Sequence, residues 1–95
     1  MIEKVWTKPR ARRIPIVVKA PEAKDVRVTG DFTQWAQEGI RLSHDGKGQW
    51  RTVVPLEPGE YQYRLLVDGE WTDHAEATGR VANPFGSANC ILKVF

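Results

Sequence analysis

The sequence predicts an all-β fold, an immunoglobulin-like antiparallel β-sandwich of about seven short strands. Three observations support this: short runs rich in β-branched and aromatic residues, turn signals every 8 to 12 residues, and no amphipathic helical period anywhere in the chain. The Cys and Trp spacing of true immunoglobulin domains is absent. Ninety-five residues suit one domain with a single modest core, expected over residues 14–95.

Residues 1–13 form a basic N-terminal arm, in which Lys4, Lys8, Arg10, Arg12 and Arg13 stand against Glu3. The arm nets +4, so the rest of the chain nets −2 of the overall +2. Such an arm suits an anionic surface or nucleic acid. Without a repeated Arg or aromatic pattern, and with Pro9 opposing a helix, the expectation is a solvated or disordered leader and no nucleic-acid partner.

The first strand runs from Arg13 to Ala20 and stops at Pro21; Pro15 within it marks a sheet edge. The second, Asp25 to Gly30, alternates cleanly, with Val26 and Val28 inward and Arg27 and Thr29 outward. From Gly30 to Trp35 periodicity is lost, which predicts an ordered loop. Phe32 plugs the core from it, whereas the spacing of Trp35 is compatible with either core or solvent. Ile40-Arg41-Leu42 is a short third strand, and the Gly-containing turn from Ser43 to Gly48 leads into a fourth, Gln49 to Leu56, with Trp50 in the core.

Glu57-Pro58-Gly59 then turns the chain into the hairpin formed by Tyr61 to Val67, Asp68-Gly69 and Glu70-Trp71-Thr72. Asp-Gly suits a type I′ turn because both central positions need positive φ, which Gly accepts freely and Asp tolerates. With a period of two, Tyr61, Tyr63, Leu65 and Val67 face the core, and Gln62, Arg64 and Leu66 face the other way. Trp71 folds back towards Arg64. Residues 72–84 show no convincing element and read as a long connection, before a final strand from Ala88 to Val94 that buries Cys90, Leu92 and Val94.

Catalysis finds little support. Carboxylates at Asp31, Asp45, Asp68, Glu70 and Asp73 are mostly explained as turn residues. His44 and His74 each adjoin an Asp, but neighbours on a strand point to opposite faces. Cys90 lies in the buried set with no evident base, as a small hydrophobe does. There is no metal-ligand cluster or phosphate-binding glycine loop, so no metal and no cofactor is expected. No apolar run approaches the roughly 20 residues that span a bilayer, and the N-terminus lacks a signal-peptide core. A lone cysteine forms no internal disulfide. The expectation is a cytoplasmic, non-enzymatic binding module with no membrane partner.

Four landmarks occur in order: Val26 to Trp35 (VRVTGDFTQW), Pro58 to Arg64 (PGEYQYR), Val67 to Trp71 (VDGEW) and Asn83 to Asn89 (NPFGSAN). Together they resemble the glycogen- and starch-binding modules of carbohydrate-binding module family 48, found in the β-subunit of AMP-activated protein kinase and at the N-termini of isoamylases and branching enzymes. The resemblance covers residues 14–95 and implies non-catalytic binding of α-1,4-linked glucans such as glycogen, starch and maltooligosaccharides. It implies that Trp35 and Trp71 are stacking platforms for glucose rings. It also implies that Arg64, where Lys is usual, and Ser87 and Asn89 hydrogen-bond sugar hydroxyls. Phe85 stands where the kinase-type modules carry a Leu that pushes through the ring of a bound oligosaccharide.

The basic arm matches nothing in the family. A pyranose has an apolar C–H face and a hydroxyl rim, which a flat aromatic bordered by fixed donors suits. Taken singly, each residue has an ordinary structural explanation: Trp71 covering a core edge, Trp35 plugging a loop, Arg64 as a solvated strand residue. The alternative function is a protein-interaction domain of the same fold that docks a kinase or a glucan-metabolising enzyme.

Overall fold

The computed structural model describes residues 11–95 and places in them nine strands, one short 3-10 turn and no α-helix. The strands are β1 (Arg12–Lys19), β2 (Val26–Gly30), β3 (Ile40–Arg41), β4 (Ser43–His44), β5 (Gln49–Leu56), β6 (Gly59–Val67), β7 (Glu70–Thr72), β8 (Gly79–Ala82) and β9 (Ala88–Val94). The 3-10 turn spans Asp31–Thr33. All pairings are antiparallel. One sheet has the order β1-β5-β4, and the other β3-β2-β6-β9-β8 with β7 also on β6.

The core is the space between these sheets. Ile16, Val18, Trp50, Val54 and Leu56 meet Val26, Val28, Tyr63, Leu65, Cys90 and Val94, all at most 6% exposed. Each such side chain contributes about 1.5–3 kcal/mol by leaving water. The alternation expected from the sequence is what supplies this interior. Phe32 packs on it from its loop, edge-on to Tyr61 at 6.3 Å between ring centroids. Pro15 lies on β1, an edge strand, where its missing N–H costs no ladder bond.

Four details differ from the sequence-based expectation, the first being Thr29, expected to face outward but fully buried with its hydroxyl bonded to the Ala36 carbonyl. The expected third strand shortens to β3, which pairs with β2, while Ser43 and His44, expected in the turn after it, form β4 on β5 in the other sheet, and Leu42, 2% exposed, passes between them. Residues 79–82, expected to lie in an irregular connection, form β8 on the outer edge of β9. Tertiary contacts order this segment, because Arg80 grips Asp73 through Nε and Nη2, both at 2.8 Å, and donates to the His74 carbonyl at 2.8 Å. Finally, β1 starts at Arg12, so Arg12 and Arg13 of the expected arm are ladder residues opposite Leu56 and Pro55. Residues 1–10 of that arm lie outside the described residues.

The β6–β7 hairpin closes as expected, with Asp68 at φ 51° and Gly69 at φ 84°. Asp68 also ties in the loop before β2, since its Oδ1 accepts the Lys24 and Asp25 N–H groups at 2.8 and 2.9 Å. His74 links the two sheets. The Val17 carbonyl only accepts, so Nε2 carries the proton and donates to it at 2.9 Å, leaving Nδ1 to accept the Tyr63 hydroxyl at 2.7 Å. Burial pushes that hydroxyl's pKa well above the usual tyrosine range. Cys90 is fully buried, and the same desolvation raises its thiol pKa.

Candidate functional site

Strand β6 changes partners along one edge. Residues up to Tyr63 pair with β9, and residues from Leu65 pair with β7, while β2 occupies the opposite edge. Arg64 falls at the seam. Its side chain alternates away from the core, onto the outer face of the larger sheet. Trp71, opposite Leu66 on β7, shares that face, as does Asn89 on β9.

Around the seam lies a cleft of about 650 Å³ lined by Trp35, Arg64, Trp71, Phe85, Ser87 and Asn89, together with Asn83 and Pro84. The six residues singled out from the sequence therefore come together from four separate segments. Trp71 is 45% and Phe85 89% exposed. Trp35 and Asn89 are half-buried.

Trp35 is held from both ends. Its N–H donates to the Gly30 carbonyl at 2.9 Å and its indole Nε1 to Asp31 Oδ1 at 3.0 Å. The other Asp31 oxygen accepts the Gln62 N–H at 2.8 Å, so one carboxylate fastens the loop to β6. Gln34 and Trp35 both have positive φ, 54° and 57°. That left-handed backbone is unfavourable for large side chains, and the loop holds it through Thr33 and Thr29. Thr33 Oγ1 accepts the Gly30 N–H at 3.0 Å, and Thr29 donates to the Ala36 carbonyl at 2.7 Å. Gly30 is required by space: a Cβ there would sit 2.3 Å from the Gln62 carbonyl oxygen.

Arg64 Nη1 donates to Ser87 Oγ at 3.1 Å, and its Cζ lies 5.9 Å from the centroid of the Trp71 ring. Its Nε is buried and has no hydrogen-bond partner among the described residues.

The opposite wall is organised by Asn83, which the sequence reading placed in a landmark but not in the site. Its Oδ1 accepts the N–H groups of Phe85 and Ser87 at 3.0 and 3.2 Å, an Asx turn. Its Nδ2 donates to Ser87 Oγ at 2.9 Å and Asn89 Oδ1 at 3.1 Å, and Asn89 Nδ2 reaches Gln62 Oε1 at 3.0 Å. The loop from 83 to 89 is thereby joined to β6. The Asn-Pro dipeptide, a turn-initiating pair, was the available signal.

Chemically, the cleft offers flat apolar faces bordered by a guanidinium, a hydroxyl and amides. On the outer face of a sandwich this is the build of a binding module for ligands with an apolar face and a polar rim. The family model described as the glycogen recognition site of AMP-activated protein kinase matches residues 14–95, and the chain belongs to that family.

The chain is 34% identical over 71 residues to the 5'-AMP-activated protein kinase subunit beta-1 of Sus scrofa, covering 75% of this chain and 55% of that protein. Against the Homo sapiens subunit it is 32% identical over 71 residues, 75% of this chain and 25% of the relative. A chloroplastic phosphoglucan phosphatase of Arabidopsis thaliana is 30% identical over 81 residues, 85% of this chain and 14% of the enzyme. The chain thus spans about half or less of the length of these relatives.

Proposed function

We propose that the cleft binds α-1,4-linked glucans without catalysing their turnover. The observation that carries this is the convergence of Trp35, Trp71 and Phe85 around Arg64, Ser87 and Asn89, in a chain of a glycogen-recognition family. Glucose rings stack on the indoles, with Trp35 kept in place by Asp31. Arg64, Ser87 and Asn89 meet the hydroxyl rims. The largely exposed ring of Phe85 closes the far side against the chain of sugars.

A Trp face half covered by sugar yields on the order of 1 kcal/mol, and each hydrogen bond nets roughly 1 more. About five such terms give a dissociation constant near 0.1–1 mM. Single-site binding is therefore weak, and retention on a polymer comes from many sites.

Titration with maltoheptaose, followed by Trp fluorescence, tests the reading. Saturation in the sub-millimolar to millimolar range supports it, and no response at millimolar sugar refutes it. A folded Trp71→Ala variant that binds as tightly as the parent refutes the site assignment by itself.

The alternative, docking of a kinase or glucan-metabolising enzyme, draws on the relatives, which are a kinase subunit and a phosphatase much longer than this chain. Retention of a partner that excess maltodextrin does not compete away would favour it. A cytoplasmic location belongs to the proposal too, and the chloroplastic relative is its counter-example within the family.

A further inference from the structure

The state of Arg64 distinguishes it from the other ordered arginines on this sheet. Arg27 and Arg41 share the Asp25 carboxylate at 2.8 and 3.0 Å, and Arg80 holds Asp73 at 2.8 Å. Arg64 has no carboxylate partner among the described residues, and no acidic side chain lines its cleft. Two carboxylates bordering the site are already engaged. Asp31 gives one oxygen to the Trp35 indole and the other to the Gln62 N–H, while Asp73 is clamped by Arg80.

One guanidinium nitrogen reaches Ser87 Oγ at 3.1 Å and another, Nε, is buried with no acceptor. A neutral oligosaccharide offers this group hydroxyl dipoles, whereas an anionic ligand offers it a full opposite charge. A phosphate monoester carries a charge of roughly −1.5 to −2 and three acceptor oxygens, and a guanidinium fork matches its geometry. The Ser87 hydroxyl, which accepts from Arg64 Nη1 and can swing its own proton from Asn83 Oδ1 towards a ligand, stands beside that fork to take a further oxygen.

We propose that this cleft prefers phosphorylated over neutral glucan, with Arg64 as the residue that reads a phosphate monoester on a glucosyl unit lying against Trp71. The inference rests on the glucan-binding reading above and adds the ligand's charge to it. Neutral stretches of the same polymer bind through the aromatic faces and the hydroxyl contacts, and phosphate adds a charge-assisted contact that marks where along a glucan the module settles.

The test is calorimetric titration at fixed ionic strength with maltoheptaose, with a maltooligosaccharide bearing one 6-phosphoglucosyl unit, and with inorganic phosphate alone. The phosphorylated sugar is expected to bind about five- to tenfold more tightly than the neutral one, the usual advantage of a charge-assisted over a neutral hydrogen bond. That ratio shrinks as salt rises. It falls to near one in Arg64→Gln and to an intermediate value in Arg64→Lys, which keeps the charge but loses the fork. Inorganic phosphate should show no saturation in the same range, since it lacks the stacking surface.

Equal binding of the two sugars by the parent protein, or a ratio that survives Arg64→Gln, overturns the proposal while leaving neutral glucan binding standing. Phosphate binding alone as tightly as the phosphorylated sugar overturns it as a glucan site. Failure of both sugars to bind removes the underlying reading as well. Circular dichroism on each variant confirms folding, which the outward-facing position of Arg64 allows.

Discussion

Replacing Asn83 with Ala tests whether the cleft depends on a residue that has no aromatic surface and no charge. The side chain makes five hydrogen bonds that the substitution deletes: three accepted, from the Phe85 and Ser87 N–H groups and the Ser87 hydroxyl, and two donated to Ser87 and Asn89. The loop is exposed, so water replaces each partner, and the net loss is about 0.5 kcal/mol per bond, near the low end for neutral pairs. Total destabilisation is about 2.5 kcal/mol, a fall in melting temperature of roughly 15 °C for a domain of this size.

The effect on ligand binding is separate. Without Asn83 the 83–89 loop must be ordered when ligand arrives, and fixing even two residues costs about 2 kcal/mol or more, which weakens maltoheptaose about 30-fold. Thermal unfolding, maltoheptaose titration and amide exchange at residues 84–88 read the three consequences independently. Asn83→Asp, which keeps the acceptor for both N–H groups, should recover most of the loop protection. A variant Asn83→Ala with unchanged exchange at 84–88 and binding within twofold of the parent would show that this network does not hold the wall in place.

Two further outcomes follow from the framework. Gly30→Ala should cost about 2–3 kcal/mol, because the new Cβ meets the Gln62 oxygen at 2.3 Å in the ladder between β2 and β6. Denaturant titration checks this, and a cost below about 0.5 kcal/mol would mean that the two strands separate easily. Asp25 and Asp73 have carboxyl pKa values held below the ordinary 3.8, chiefly by hydrogen bonds from Arg27 and Arg80. Their contribution is complete above that value and is lost as pH falls through the depressed folded-state values. Asp73→Asn should therefore flatten the acid limb of the stability profile. An acid limb identical to the parent's would show that the Arg80 pair does not contribute.

Much of the fold was legible because each strand carries a local record of its two environments. Val26 and Val28 stand among Asp25, Arg27 and Thr29, and Tyr63 stands between Gln62 and Arg64, and all three are buried as that alternation requires. Asp68-Gly69 specified its turn through backbone sterics alone. The division at Leu42 was not legible, since two dipeptides separated by one apolar residue read the same whether they share a sheet or cross between two. Strand β8 was hidden for a related reason: an edge strand of Gly79, Arg80, Val81 and Ala82 has no buried stripe, and its order comes from β9 and the Asp73–Arg80 pair. Asn83 was overlooked as a site residue because Asn-Pro announces a turn but not that the turn forms the wall of a cleft.

What the sequence determined by itself was the sandwich, its apolar interior and the aromatic and polar residues left over once that interior was filled. Periodicity can do this because it reports, residue by residue, which side of a chain meets water. What only the tertiary structure decided was that Trp35, Arg64, Trp71 and the 83–89 loop surround one cleft at the seam where β6 exchanges β9 for β7. Meetings between segments tens of residues apart depend on sheet order and on tethers such as Asp31 to Gln62 and Asn89 to Gln62. Those are properties of strand pairing, and local alternation carries no record of which edges meet.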